Sequence, residues 1–119
     1  MQVRIKRGQI KAITEELLRR QGGSCAICGR GMTQKDGPVL DHDHDSGLLR
    51  DVVHRSCNAA EGKVRIKAMW AHRGVGKTNF LISLGKYLEK HRDSPRKLLH
   101  CDFLTVKEKA VMKVLKKRR

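Results

Sequence analysis

Apolar residues recur at helical spacing in several parts of the chain. Over residues 9–21 they fall on one face, which predicts an amphipathic helix that Gly22 and Gly23 bring to an end. The same spacing predicts helices over residues 54–73 and 79–92. The face of the first helix is formed by Ile10, Ile13, Leu17 and Leu18.

Two short stretches between the first two helices have the residue pattern of β-strands. Residues 39–44 and 48–53 read as strands, and Asp45-Ser46-Gly47 between them reads as a turn, so we expect a β-hairpin. A last helix is expected to begin after Thr105, because Thr105 and Glu108 have the spacing of a capping box. Together the elements predict an α+β fold with an N-terminal helix, a hairpin followed by a helix, and two C-terminal helices.

Charge is distributed unevenly along the chain, which has a formal net charge of +15. Residues 1–24 carry +4, residues 25–62 carry −2 and residues 63–119 carry +13. A basic chain with an acidic centre is typical of a protein that binds a polyanion and does other chemistry in its middle, so we expect a nucleic-acid partner. Trp70 lies in an apolar Ala-Met-Trp-Ala run and is expected in the core.

Apolar runs in the sequence are short. None exceeds four residues, whereas a membrane helix needs about 20 and a secretory signal at least about seven. Membrane-surface binding is also disfavoured, because no segment combines a basic face with a bulky aromatic anchor. We therefore expect a cytoplasmic protein with no membrane partner.

Two pairs of candidate metal ligands, Cys25-x2-Cys28 and His54-x2-Cys57, are separated by 25 residues. Zinc takes four nitrogen or sulfur ligands, and each pair can reach one ion from a single turn, so the spacing predicts a structural tetrahedral site. A disulfide is the poorer interpretation, since thiols stay reduced inside the cell. Cys101 is the alternative to His54 as fourth ligand, and the pair spacing favours His54.

Acidic and imidazole side chains lie between these pairs, in the sequence Asp41-His42-Asp43-His44, and Asn58 follows the last candidate ligand. On a strand, the aspartates would face one way and the histidines the other. The oxygens of Asp41 and Asn58 suit a hard cation such as Mg²⁺, and a neutral His42 beside it suits the activation of water. Phosphodiester hydrolysis needs both parts. The alternative is a polar hairpin whose side chains are only solvated.

The run from Leu40 to Gly62, LDHDHDSGLLRDVVHRSCNAAEG, resembles the phage recombination endonuclease VII family, one of the HNH nucleases with a ββα-metal site. It shares a Leu-Asp-His-x-His strand, an Asp-x-Gly turn, an Arg, and a Cys-Asn pair at the start of a helix. Two positions depart from the family pattern. His54 stands where the family usually has Cys, and Asp51 stands where Gly is usual.

The resemblance implies a metal-dependent DNA endonuclease with a structural zinc ion and a catalytic Mg²⁺ or Mn²⁺ ion. His42 would be the general base that activates water, and His44 would contact or polarise the scissile phosphate. Asp41 and Asn58 would hold the catalytic ion. The implied zinc ligands are Cys25, Cys28, His54 and Cys57.

The resemblance also bears on organisation and partners. It implies a phage protein of the host cytoplasm that cleaves DNA by nicking it or by resolving branches. Branch resolution generally uses two active sites, which would make the protein a homodimer. A single domain, 1–119, would contain an N-terminal helix (1–24), a zinc-bound ββα core (25–73) and a basic helical extension (74–119).

Residues 71–78, AHRGVGKT, fit a relaxed phosphate-loop pattern. A phosphate loop follows a strand, whereas this segment follows a predicted helix, so we expect a helix–helix turn and no nucleotide cofactor. Arg73 and Lys77 in this turn are candidates for contact with DNA phosphate. The basic end of the chain is either a further DNA contact or a solvated tail. It contains Lys113, Lys116, Lys117, Arg118 and Arg119.

The sequence is also compatible with three other functional classes. A non-catalytic, zinc-containing DNA-binding module would bind DNA equally well without His42. A P-loop phosphatase would depend on Lys77 and not on His42. A structural protein would depend on neither side chain.

Overall fold

The computed structural model describes residues 2–71, 74–93 and 96–118. The longer elements are α1 (Ile10–Arg20), β1 (Val39–His42), β2 (Leu49–Val53), α2 (Arg55–Ala71), α3 (Lys77–Lys90) and α4 (Val106–Lys117). Short 3-10 turns lie at Arg7–Gln9 and Gln34–Asp36. This mixture of helices with a two-stranded antiparallel hairpin confirms the expected α+β class. The chain forms two compact units, one up to Leu81 and one from Ile82 on, with the division inside α3.

The core of the first unit is built around the hairpin. Helix α1 packs against both strands, and α2 packs against β1. Val52 and Val53 at the end of β2 are fully buried, and Ala68 of α2 and Cys25 are buried with them. The hairpin and the helix that follows it therefore form a ββα arrangement, with α1 covering the strands.

A β-bulge interrupts the hairpin. The ladder shifts register between Leu40 and His42, so that Arg50 and Asp51 of β2 together face Asp41 of β1. In a regular ladder Arg50 would face His42, and its side chain would point to the opposite side of the hairpin from Asp41. Bulges re-aim side chains in this way, and this one brings Arg50 over Asp41.

Strand β1 ends at His42, two residues earlier than the sequence pattern predicts. Asp43 ends it, because its Oδ1 accepts hydrogen bonds from the backbone N–H groups of Ser46 (3.0 Å) and Asp45 (2.8 Å). These backbone hydrogen bonds also hold the pKa of Asp43 below its usual value. The expectation that His44 lies on the strand is therefore wrong, and His44 belongs to the turn.

Helix boundaries differ by small amounts from those expected. Helix α1 confirms the prediction over 9–21, whereas α3 begins at Lys77 and ends at Lys90, two residues before the expected position at each end. The expected end of α2 at residue 73 lies outside the described residues. Trp70 was expected in the core, and this is wrong. Its side chain is 84% exposed, because Ala68 is the residue that α2 turns inward.

The second unit contains the rest of α3 and all of α4. Thr105 caps α4 as predicted, because its Oγ1 accepts a hydrogen bond from the backbone N–H of Glu108 at 3.2 Å. Among the described residues of α3 and α4 none is buried. The apolar side chains of α4 remain about half exposed, and they include Val111, Met112, Val114 and Leu115.

Among the described residues, no helix is both long and apolar enough to cross a membrane.

Candidate functional site

The first pair of cysteines lies in a tight loop whose ends are joined. Ser24 and Gly31 form an isolated antiparallel bridge, and the backbone N–H of Cys25 donates to the carbonyl of Arg30 at 2.9 Å. Gly29 supplies the left-handed conformation that the loop needs, with φ +76°. The loop is fastened to β2, because the backbone N–H of Ala26 donates to Val52 O at 3.1 Å.

The second pair comes from the junction between β2 and α2. His54 directly follows β2, and Cys57 lies in the first turn of α2. The His54 ring turns its Nδ1 toward the cysteines, 3.3 Å from Cys28 Sγ and 3.8 Å from Cys57 Sγ. The backbone N–H of His54 also donates to Cys25 Sγ at 3.4 Å.

These four side chains form a group that can hold a zinc ion, since their ligand atoms all lie within 4.8 Å of one another. Tetrahedral ligands at zinc bond lengths of 2.0–2.3 Å are about 3.3–3.8 Å apart, which matches the distances from His54 Nδ1. The donor set of three thiols and one imidazole is also one that zinc prefers. The residues therefore fit a structural zinc site that joins the cysteine loop, β2 and α2.

Electrostatics in the group favour a bound cation. Burial raises the pKa of Cys25, but hydrogen bonds from the backbone of Cys28, His54 and Ile27 outweigh it and lower the pKa to about 6. Burial, with the neighbouring Cys28 and Cys25, raises the pKa of Cys57 to about 11. The Cys25 thiolate therefore forms readily, and its negative charge disfavours ionisation of Cys57. A divalent zinc ion would offset this repulsion between the thiolates.

Cys101, the alternative fourth ligand, is not part of this group. It is exposed and lies in the second unit, in a separate group with His100 and Asp102. There its Sγ is 3.9 Å from His100 Nδ1. The structure brings His54 to Cys25, Cys28 and Cys57.

The carboxylate of Asp41 lies beneath the bulge and is paired with arginine. Asp41 is 8% exposed, and its Oδ2 accepts a hydrogen bond from Arg50 Nε at 2.7 Å. The same guanidinium reaches Glu61 of α2, with Nη2 3.3 Å from Oε1, and Arg65 Nε lies 3.6 Å from that oxygen. The bond to the Asp41 carboxylate raises the pKa of Arg50 above its usual value. Arg50 therefore links the strand to the helix.

The two histidines lie close together at the turn end of the hairpin. Both are exposed, and their ring centroids are 5.6 Å apart at an interplanar angle of 73°. His44 lines a cavity of about 200 Å³ together with Arg50, Glu61, Arg65 and Lys77. His42 lines a separate open groove on the side of the N-terminal segment. The two histidines therefore lie between the cavity and the groove of the first unit.

Asn58 is half-buried in the first turn of α2, where its backbone N–H donates to His54 O at 2.9 Å. It lies immediately after Cys57, and α2 packs against the strand that carries Asp41. Glu61 follows Asn58 at a spacing that puts both on one helix face. Asp41, Asn58 and Glu61 therefore supply oxygen donors from two adjoining elements.

The family model of recombination endonuclease VII matches residues 2–105 of the chain. The chain belongs to this family. Among curated proteins, the Gene 59 protein of Mycobacterium phage L5 is 42% identical over 38 residues, which make up 32% of this chain and 23% of that protein. The match thus spans less than a quarter of the phage protein. The resemblance read from the hairpin sequence is confirmed.

Several basic residues expected to contact DNA are placed by the structure. Lys77 begins α3 and forms an ion pair with Asp45 in the hairpin turn. Arg73 and Arg119 lie outside the described residues. The other basic residues of the C-terminal end are exposed on or just after α4, and they are Lys113, Lys116, Lys117 and Arg118.

The segment before Lys77 does not have the context of a phosphate loop. Helix α2 extends to Ala71, and α3 begins six residues later, so two helices flank the glycines. A phosphate loop connects a strand to a helix. The described residues therefore give this segment the helix–helix setting that the sequence predicted.

Sequence reasoning missed four residues that contribute to this region. Gln21 pairs with the backbone of Val52, donating to its carbonyl and accepting from its N–H, each at 2.8 Å. Nothing in the sequence marks that contact, since it spans 31 residues. Glu61 could have been found from its position one turn after Asn58. Arg4 and Arg7 line the groove beside His42, and the basic character of the N-terminal segment was the available signal.

Proposed function

We propose that this member of the recombination endonuclease VII family hydrolyses DNA phosphodiester bonds at the turn end of its hairpin, by a single-metal HNH mechanism. One observation carries the proposal. The four zinc-capable side chains come from immediately before and after the segment that holds Asp41, His42 and His44, and Asn58 directly follows the last of them. A structural ion there would fix the strand and the helix that carry these side chains.

Asp41 and Asn58 are the residues we assign to a catalytic Mg²⁺ or Mn²⁺ ion. Their carboxylate and amide oxygens are the ligands that hard cations prefer. Asp41 is nearly buried, and a hydrogen bond from Arg50 Nε holds its carboxylate in position. When bound, such an ion would stabilise the charge that develops on the phosphate and on the leaving oxygen.

His42 is assigned the role of general base. It is the last residue of β1, its ring is exposed, and it faces an open groove of about 800 Å³. A neutral imidazole there can take the proton of an attacking water. His44, 5.6 Å away between ring centroids, is assigned to contact the scissile phosphate.

Basic side chains of the first unit lie at this end of the hairpin and would hold the DNA backbone, and among them Arg4 and Arg7 line the groove beside His42. The basic residues of α4, in the second unit, would add salt-sensitive affinity. Arg73 and Lys77 would contribute at the turn before α3. Resolution of branched DNA would need two such sites, so we propose a homodimer for that activity. We place the activity in the cytoplasm, with no nucleotide cofactor and no membrane partner.

Cleavage of supercoiled plasmid in the presence of Mg²⁺ tests the assignment. We expect wild type to give nicked or linear DNA and His42→Ala to cleave at least about 100-fold more slowly, the usual contribution of a general base. His100→Ala is the matched control, because His100 is an exposed histidine of the second unit. Both variants should keep their zinc and their affinity for DNA.

Two results would contradict the proposal. Cleavage by His42→Ala at the wild-type rate would remove His42 from the mechanism. The absence of cleavage by wild type on plasmid and on branched DNA, with DNA binding intact, would favour the second candidate, a non-catalytic zinc-containing DNA-binding module.

A further inference from the structure

The positively charged guanidinium of Arg50 lies between two carboxylates. Its Nε lies 2.7 Å from Asp41 Oδ2, and its Nη2 lies 3.3 Å from Glu61 Oε1. The two carboxylates come from different elements, β1 and α2, and their side chains are only 12% and 26% exposed. A single guanidinium therefore offsets the repulsion between two partly desolvated negative charges.

The backbone is built to put Arg50 there. The bulge in β2 places Arg50 and Asp51 together opposite Asp41. Without the extra residue, the Arg50 side chain would project from the other side of the hairpin. A bulge leaves ladder groups unpaired, and here it brings a positive charge onto the buried carboxylate.

The two carboxylates do not depend on Arg50 equally. Glu61 has a second basic neighbour in Arg65, at 3.6 Å. Among the described residues, Arg50 is the basic side chain that forms an ion pair with Asp41. Loss of the contact with Asp41 would leave Arg50 still held by Glu61. Its guanidinium would then lie beside the cavity of about 200 Å³ that His44 also lines.

We propose that Arg50 is an internal counter-ion that a divalent metal ion must displace from Asp41. The inference rests on the proposed role of Asp41 as a ligand of the catalytic ion. Before the ion binds, Arg50 holds the Asp41 carboxylate in place by a hydrogen bond. Binding of the ion breaks that contact, so Arg50 weakens metal affinity while it keeps the site formed. Arg50 is thus a positioning residue, and the guanidinium it frees remains beside His44.

A permanent structural ion pair would behave differently. In that case Arg50 would hold Asp41 in place with the metal bound, and its removal would weaken metal binding. If Arg50 is instead displaced by the metal ion, removal of Arg50 strengthens metal binding. It then lowers the stability of the folded protein only when metal is absent. The two accounts therefore predict changes of opposite sign in the dissociation constant for Mg²⁺.

Isothermal titration of the zinc-loaded, full-length protein with Mg²⁺ distinguishes these accounts. For Arg50→Gln we expect a dissociation constant about tenfold lower than that of wild type, the size expected for a partly screened, hydrogen-bonded charge pair. Arg65→Gln is the matched control, because it removes the same charge near Glu61 without touching Asp41. Its dissociation constant should change by less than about threefold.

Thermal unfolding gives a second readout. Arg50→Gln should melt below wild type in EDTA-free buffer without Mg²⁺, and saturating Mg²⁺ should raise its melting temperature more than that of wild type. If Arg50→Gln does not fold, Arg50→Lys replaces it. A lysine keeps the charge but cannot bridge two carboxylates with a planar fork, so its Mg²⁺ affinity should also exceed that of wild type.

The outcomes separate the two proposals. Equal or weaker Mg²⁺ binding by Arg50→Gln, with binding abolished in Asp41→Asn, would overturn the role of Arg50 and leave the metal site standing. Equal gains in Arg50→Gln and Arg65→Gln would also overturn it, because they would indicate a general charge effect. Failure of all variants and of wild type to bind Mg²⁺ would overturn the proposed metal site itself and the inference with it.

Discussion

The two units of the chain differ in how their side chains are held. In the first unit, Val52, Val53, Ala68 and Cys25 are buried around the hairpin, and a charged residue, Asp41, is buried with them. In the second unit, the described residues of α3 and α4 include no buried side chain. Both units have amphipathic helices, so the helical spacing of apolar residues does not by itself produce a buried core. The first unit also has a hairpin to pack against and a group of side chains that can bind zinc.

The two units also differ in the residues they carry. The candidate catalytic side chains lie on the first unit, whose hairpin packs against α1 and α2. The second unit has a net charge of +8, and Val111, Met112, Val114 and Leu115 of α4 are about half exposed. Stability and catalysis should therefore depend on substitutions in the first unit, whereas substitutions in the second should alter affinity and local helix content.

Loss of the zinc site should have the largest effect. We expect Cys28→Ser to lose zinc and to lose cooperative unfolding of the hairpin, because structural zinc contributes on the order of 10 kcal/mol in small domains. Cys28 is exposed, so the substitution disturbs little packing. The amide spectrum of the hairpin and the zinc content of the purified protein measure the effect.

Cys101→Ser is the control for this experiment, since Cys101 is also exposed and lies in the second unit. It should bind one zinc ion and melt as wild type does. A folded hairpin in zinc-free Cys28→Ser would contradict the importance we give to the metal.

Loss of the Gln21 amide should have an intermediate effect on the first unit. Gln21→Leu removes the hydrogen bond that Gln21 accepts from Val52 N–H and the two that it donates to Val52 O and Ser24 O, each 2.8 Å long. We expect the free energy of unfolding to fall by about 2–3 kcal/mol, because buried backbone groups lose their partner. Denaturant unfolding measures it.

Gln9→Leu serves as the matched control, because Gln9 accepts one exposed hydrogen bond from the backbone of Lys6. That variant should lose no more than about 0.5 kcal/mol. Equal losses in the two variants would mean that the Gln21 contacts do not hold β2.

Loss of the Thr105 cap should have the smallest effect and should be confined to the second unit. Thr105→Ala leaves the N–H of Glu108 without its side-chain acceptor and should weaken α4 by about 1 kcal/mol. Hydrogen exchange of the α4 amides should speed up accordingly, while exchange in the hairpin is unchanged. Thr105→Ser should restore protection. Faster exchange in the hairpin would show that the units are coupled.

The sequence predicted those features that depend on neighbours along the chain. Apolar spacing located α1, residue type and spacing located the ligand pairs, and Thr105 with Glu108 located the start of α4. Features set by contacts between distant residues were not predictable. The bulge at Arg50 depends on strand register, and the exposure of Trp70 depends on which face of α2 meets the hairpin.

The early end of β1 is an intermediate case. The strand pattern continues through the fourth residue of Asp41-His42-Asp43-His44, so alternation predicted a longer strand. The side chain of Asp43 instead accepts hydrogen bonds from the backbone of Asp45 and Ser46, which holds the residues after it in a turn. The position of Asp43, four residues before Gly47, is itself a signal for a turn. The alternation of residue types favoured a longer strand instead.

The identity of the fourth zinc ligand most directly tests whether the zinc site belongs to the first unit alone. If His54 completes the site, zinc joins only elements of the first unit, and Cys101 of the second takes no part. X-ray absorption at the zinc edge of the purified protein measures the ligand set. We predict three sulfur atoms at about 2.3 Å and one nitrogen at about 2.0 Å. Four sulfur atoms in the wild type, reduced to three by Cys101→Ser, would contradict the account.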